Sequence, residues 1–457
     1  MSLRQLFSFA TGSATSRNRT RRQSGSSASR KRRLGFECVE GRLLLTAVVI
    51  DRSTDPSADT IYVGQSGSNT VVDVNGTQVE SIASSAISSL NIYGTAYNDT
   101  IEFDYSAGNP VPNGSIGVYG NGGQNQLDVW GNSDFTLASY VQLWGNISSI
   151  IGLSSIQSVV ASASSTSDVA YVEAGTSSAG TFFGHLATGP GAGPGSNYQG
   201  NDGSYNNIAL GFGSVTGISG NSADSAQLDD SNAGTSNVTA HPTSSFFSNG
   251  SYTVTANSFS HVSMTSSYGS TDFAYLDDQN SSSAATVWYQ PLNCTYTGSG
   301  YDNQVFGFGH IQMNGDNSSD VVQLNDAGAP GTFTSTYTNS YVLGTINGSQ
   351  YAGNAFFRNV FLAASYNTDQ SAWNDPLGGA SVALNSSSDP YIIFSNGYAV
   401  TDIGFVPPSG PNPVPDINAN NQTNPAKLDY ANASALSLVT LNPKINNQAY
   451  WYVNYNQ

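Results

Sequence analysis

Thr271–Asp278 reads TDFAYLDD, and the chain repeats it. It returns as ADSAQLDD at Ala223–Asp230, as SDVVQLND at Ser319–Asp326 and as TDQSAWND at Thr368–Asp375, with a worn copy, SDVAYVEA, at Ser167–Ala174. The leading aspartates are Asp168, Asp224, Asp272, Asp320 and Asp369, so the steps are 56, 48, 48 and 49 residues. A period of this length is the mark of a repeat architecture, in which each unit buries its apolar face against its neighbours.

Within a copy the apolar residues alternate with polar ones, as in Ala274/Leu276 and Val322/Leu324, which is the pattern of half-buried strands. An aromatic-led segment precedes each aspartate: Phe212–Val215, Phe259–Val262, Phe308–Ile311 and Phe357–Val360. A third strand is expected around Val238, Val287 and Phe333, and a fourth at Tyr205, Tyr252, Tyr301 and Tyr351. Four strands per copy amount to two turns of about 24 residues, and the 26-residue offset from Asp99 to Asn125 fits such a turn. The fold expected is all-β, a parallel β-helix or related β-solenoid. A β-propeller, with four strands per blade, is the alternative. The long step between Asp168 and Asp224 carries an inserted loop, GPGAGPG at Gly189–Gly195.

Around this repeat domain, expected over residues 48–405, lie three other segments. Residues 1–47 are basic and rich in Ser and Arg. A Pro-rich linker occupies residues 406–415, and residues 416–457 form a tail or cap strand that covers the open end of the stack. Residues 1–52 hold 11 of the 14 Lys and Arg and 3 of the 31 acids, a net +8, which leaves −25 on the rest. Such an acidic body lacks the cations that would neutralise phosphate, so nucleic acid is excluded as a partner. No run of 18 apolar residues stands ready to span a membrane. The two cysteines, Cys38 and Cys294, make no disulfide framework.

The segment from Arg32 to Ile50, RRLGFECVEGRLLLTAVVI, has positive charge before a short apolar run with small residues, the ingredients of an export signal. It resembles the LEPR-XLL motif at the N-terminus of large exported planctomycete proteins. Glu40, Arg42, Leu44 and Leu45 match that pattern, whereas Val39 and Gly41 depart from its Leu and Pro. The resemblance implies export to the cell surface or beyond and implies no activity.

Chemistry is sought among the acids. Hard cations take several oxygen ligands, and the acidic doublets Asp229/Asp230 and Asp277/Asp278 are the candidate calcium ligands. Against this, aspartates that recur in every copy suit strand-start caps that accept turn N–H groups. A glycoside hydrolase needs two carboxylates at a set separation in one asymmetric cluster, and recurrence argues for architecture instead. Of the four histidines, His261 and His310 share one repeat position, outward-facing by alternation. The recurrent tyrosines are expected to stack as an internal ladder, with a ladder that stacks on sugars as the alternative. No catalytic residues are assigned and no cofactor apart from the candidate calcium. The reading is a non-catalytic structural or adhesive protein of the cell surface or extracellular matrix, whose partners are surface polysaccharide or other cell-envelope components. A secreted polysaccharide-active enzyme is the alternative.

Overall fold

A computed structural model describes residues 45–363, apart from short breaks at 132, 164, 174–178, 186–194, 201–204, 231–234, 268–270, 280, 327–330 and 337–338, together with the later strands named below. Segment 1–44, with the LEPR-like residues up to Leu44, lies outside the described residues.

The regular elements of the described chain are strands but for one short 3-10 turn. It opens with β1 (Thr46–Asp51) in one sheet, here sheet A. A meander of β2 (Thr60–Ser66), β3 (Asn69–Val74) and β4 (Thr77–Ala83) then lies in a second, sheet B. The chain next coils simply: β5 (Ile87–Tyr93) and β7 (Ser115–Tyr119) pair in parallel in sheet A, while β6 (Thr100–Asp104) and β8 (Gln126–Gly131) pair in parallel in sheet B. Leu90 faces Ile116 and Ile101 faces Leu127, so the 26-residue turn expected from the sequence is present over this stretch.

Beyond β8 the unit changes. Six five-strand repeats follow: β9 (Asp134–Leu137), β10 (Tyr140–Trp144), β11 (Ser149–Ser154), β12 (Ser158–Ala163) and β13 (Val169–Glu173), then β14 (Gly180–His185), β15 (Gly195–Gly200), β16 (Asn206–Leu210), β17 (Ser214–Ile218) and β18 (Ser225–Asp229). The third is β19 (Asn237–Ala240), β20 (Ser244–Ser248), β21 (Thr253–Asn257), β22 (His261–Thr265) and β23 (Phe273–Asp277). The fourth is β24 (Thr286–Gln290), β25 (Asn293–Gly298), β26 (Tyr301–Phe306), β27 (His310–Asn314) and β28 (Val321–Asn325). The fifth is β29 (Gly331–Thr336), β30 (Ser340–Ile346), β31 (Ser349–Phe356), β32 (Asn359–Ala363) and β33 (Gln370–Asp375). The last is β34 (Ser381–Asn385), β35 (Tyr391–Ile393), β36 (Ala399–Ile403), β37 (Asp416–Ala419) and β38 (Lys427–Ala431), with β39 (Tyr452–Tyr455) after it.

In every repeat the first three strands form an antiparallel meander in one sheet, the fourth crosses to the other sheet, and the fifth returns to pair in parallel with the first. The fourth strand lies between the fifth strand of the repeat before and the third strand of the repeat after, as β22 lies between β18 and β26. Meanders therefore fall in sheets A and B in turn: β9–β11 in A, β14–β16 in B, β19–β21 in A, β24–β26 in B. Consecutive repeats are the same unit with the two sheets exchanged. Two repeats add five strands to each sheet, a rise of about 24 Å at ~4.8 Å per strand.

This corrects the expected four strands. The strand missed is the middle one of each meander, which carries Tyr198, Phe247, Tyr296 or Val342. The pairings also run in one open row through each sheet, so a propeller, with a separate sheet per blade, is ruled out. The stack does not end at residue 405. β37 pairs with β33 and β38 with β34, so these strands of the tail belong to the sixth repeat, while the Pro-rich segment 406–415 lies outside the described residues.

Alternate residues of facing strands fill one continuous core, among them Phe182, Val215, Leu228, Phe247, Val254, Met264, Leu276 and Phe308. Packing is tight enough to fix size at single positions. A Cβ at Gly217 would lie 2.4 Å from the Phe182 ring, and one at Gly353 would lie 2.5 Å from the Tyr289 ring. Such small-large pairs let the two sheets close at interior density.

Because the repeat is the five-strand unit, deletion of residues 225–272 joins Asp224 to Phe273 and leaves every strand a partner, with the sheets exchanged above the join. The shortened chain is expected to keep its β-sheet circular dichroism and cooperative unfolding. Removal of only about half as many residues strands a meander, and that variant is expected to aggregate. Equal behaviour of the two deletions refutes the five-strand unit. Separately, Leu276→Ala in the core is expected to cost about 2–5 kcal/mol in urea unfolding.

Candidate functional site

The polar residues that the fold buries lie at its corners, where strands begin and end. Asp224, Asp272 and Asp320 are all 0% exposed. Each reaches down one level to the start of a meander: Asp224 Oδ1 accepts Gly180 N–H at 2.8 Å, Asp272 Oδ1 accepts Ser236 N–H at 2.9 Å, and Asp320 Oδ1 accepts Ala285 N–H at 2.8 Å. The second oxygen binds the residue's own turn. Asp224 Oδ2 accepts from Gly220 N–H, Asn221 N–H and the Ser219 hydroxyl, Asp272 Oδ2 from the Ser266 hydroxyl, and Asp320 Oδ2 from Asn317 N–H.

The same contact runs through the first coils with mixed residue types. Asp59 N–H donates to Asp99 Oδ1, Asp99 N–H to Asn125 Oδ1 and Asn125 N–H to Gln157 Oε1. The repeat aspartates are thus corner caps, as their recurrence implied, and Asp99 belongs to the same series. Asp168 accepts Ser165 N–H at 3.2 Å, and Asp369 lies outside the described residues.

The acidic doublets at the far ends of the strands are split by strand geometry. Asp229 and Asp277 turn to histidines on the neighbouring strand: His185 Nδ1 lies 4.0 Å from Asp229, and His241 Nδ1 lies 3.5 Å from Asp277. Asp277 also accepts from the Tyr275 hydroxyl and from Gln279 N–H. Asp230 and Asp278 are instead fully buried at the corner, where Asp230 Oδ1 accepts Ser267 N–H at 2.7 Å and Asp278 Oδ1 accepts Asp316 N–H at 3.0 Å. The two members of a doublet therefore meet different partners. His261, facing Asp302 at 3.8 Å, and His310 are exposed, as alternation indicated.

Asp230 and Asp278 each face a repeat aspartate, Asp272 and Asp320 respectively. Their second oxygens, Oδ2, are buried and take no hydrogen bond. Burial pushes the Asp230 carboxyl up to about 6, with the facing Asp272 adding to the rise. Asp278 is raised as well, chiefly by burial and then by Asp320. At the fourth-repeat corner a third carboxylate joins: Asp278, Asp316 and Asp320 bring one oxygen each within 4.8 Å of one another, the single such trio among the described residues. Sequence reading named Asp278 and missed Asp316, whose position four before the repeat aspartate holds Ser164, Gly220, Tyr268 and Ser365 elsewhere.

The recurrent tyrosines do not form a ladder. Tyr205 and Tyr301 stand at sheet B, Tyr252 and Tyr351 at sheet A, because the sheets exchange. Each of the first pair packs edge-on within its own repeat, Tyr205 with Tyr198 and Tyr301 with Tyr296. Cys294 is buried in the core as a free thiol and raised by that burial. Outside, a hollow of about 280 Å³ on sheet A is lined by Phe273, His310, Gln312, Tyr341, Leu343 and Asn354 among others, with no carboxylate in its wall. Among the described residues no helix is long and apolar enough to cross a membrane. Compared with family models, curated proteins and solved structures, the chain matches none.

Two measurements test the corner chemistry. Asp224→Ala leaves four donors without their acceptor, at about 1–3 kcal/mol for each that stays dry, whereas Asp224→Asn keeps an acceptor oxygen. Urea unfolding is expected to rank wild type, then Asn, then Ala. For Asp230 the folded value near 6 stands above the ordinary 3.8. Protonation therefore favours the folded state, and stability rises as pH falls from about 6 towards 4 and is lost as pH climbs through 6. Asp230→Asn is expected to flatten that part of the pH profile and to raise the urea midpoint at pH 7. An unchanged profile refutes the buried-pair reading.

Proposed function

We propose that this chain is an exported, non-catalytic structural or adhesive protein of the cell surface or extracellular matrix, with surface polysaccharide or other envelope components as its partners. One observation carries the reading: an outward row of hydroxyl, amide and aromatic groups runs across three successive repeats. On sheet A the register sets Thr255, Phe246, Thr239, Tyr275, Gln312, Asn354, Tyr341 and Thr334 side by side over eight strands. Aromatic faces beside amides and hydroxyls are the groups that stack on and bond to sugars. Export is supported by the LEPR-like residues and the basic segment before them.

A polysaccharide-active enzyme is the weaker reading. The buried carboxylates are already engaged by backbone N–H groups at the corners, and the hollow on sheet A is walled by aromatic, aliphatic, amide and histidine side chains.

Protease shaving of intact cells, followed by immunodetection, tests the location: loss of the full-length band supports export, and protection inside the cytoplasm overturns it. Pull-down on purified envelope polysaccharides tests adhesion. Binding that weakens several-fold in Tyr341→Ala, with the fold retained, places the contact on sheet A. Sustained release of sugar products from any of these polymers overturns the non-catalytic reading.

A further inference from the structure

Two corners of this protein are built alike and differ by one carboxylate. In the third repeat, Asp230 faces Asp272, and the N–H that reaches Asp230 Oδ1 comes from Ser267. In the fourth, Asp278 faces Asp320, and the corresponding N–H comes from Asp316. Ser267, five residues before Asp272 where Asp316 is four before Asp320, supplies no charge. An aspartate brings a third carboxylate within 4.8 Å of the other two.

Two of the three carboxylates are fully buried, and Asp278 Oδ2 has no donor although its side chain is 0% exposed. The Tyr296 hydroxyl, which also lies close to Asp278, donates to the Asn314 carbonyl. The two-acid corner holds two carboxylates and the three-acid corner three. Residues 53–457 contain only Arg358, Lys427 and Lys444 as basic side chains, so the body offers little positive charge of its own. Bringing like charges together in a buried corner is strongly unfavourable.

We propose that Asp278, Asp316 and Asp320 bind one hard divalent cation, calcium foremost, and that this cation pins the turn at 315–320 to the end of β23. Three carboxylates with no nitrogen or sulfur among them are the ligand set of calcium, magnesium or manganese rather than zinc or copper. Asp316 is exposed and opens the site to solvent, while Asp278 and Asp320 close it from within. The remaining coordination positions fall to water and to carbonyls of the turn. Neither Asp229 nor Asp230 takes part.

Calorimetric titration of the chelator-treated full chain with calcium chloride tests this, alongside melting curves with and without calcium. The expected result is one equivalent bound with a higher Tm, and loss of both in Asp316→Asn. Asp316 is exposed, so that variant is expected to fold. Asp230→Asn, at the two-acid corner, is expected to bind calcium as the wild type does. Absence of binding and of any Tm shift with calcium, magnesium and manganese at millimolar concentration overturns the proposal. So does calcium binding that survives Asp316→Asn, because the ion then sits elsewhere.

Discussion

A buried side-chain oxygen that accepts the backbone N–H of the level below holds this stack in register. At the corners of a two-sheet solenoid the chain leaves one strand and enters another out of reach of water. The N–H at each strand start would otherwise be buried without an acceptor, at about 1–3 kcal/mol apiece. In the first coils Asp99, Asn125 and Gln157 all do this work, so an acceptor oxygen is the requirement and charge is not. The repeats use aspartate because their corners ask for more. The carboxylate at Asp224 serves the level below with one oxygen and three donors of its own turn with the other. An amide, with one acceptor oxygen, can serve the level below or its own turn but not both.

This solution creates a second problem, since it places carboxylates close together in dry corners. At the first level the charge is met by Arg52, which donates to Asp59 at 2.9 Å and also pairs with Asp55. Further up, arginine and lysine are nearly absent from the chain. Asp230 against Asp272 and Asp278 against Asp320 then leave a bound proton or a bound cation as the remaining means of balance. The acidity of this body is therefore not only a surface property; part of it is structural charge in the corners.

Much of this was legible from the aspartate spacing, because a corner cap must recur wherever the corner recurs. The alternation of Ala274/Leu276 and Val322/Leu324 likewise gave the inward face of each strand. Three things were not legible. The middle strand of each meander hides because segments such as GSNYQG and SSFFS have the composition of the turns that flank them. The exchange of sheets hides because alternation separates inside from outside and says nothing of which sheet a strand joins; hence the tyrosines looked like one ladder. The role of Asp316 hides because it breaks the repeat instead of following it, and a single exposed acid in a polar turn carries no periodic signal.

The exchange of sheets has a consequence for how this surface meets a partner. In a simple coil each face keeps its own strand types along its length, so the two faces diverge. Here every face receives a meander, then two lone strands, and the opposite face receives the same set one repeat later. Both faces thus present the same kinds of groups, with a two-repeat rise of about 24 Å. Exposed residues such as Trp288 on sheet B and Leu343 on sheet A come from meanders one repeat apart. A long periodic polymer meets comparable chemistry on either side of such a stack, and individual repeats are free to drift as long as each still caps its neighbour's corner. That tolerance is why the copies at Asp168 and Asp320 share so little beyond the aspartate and the inward apolar pair.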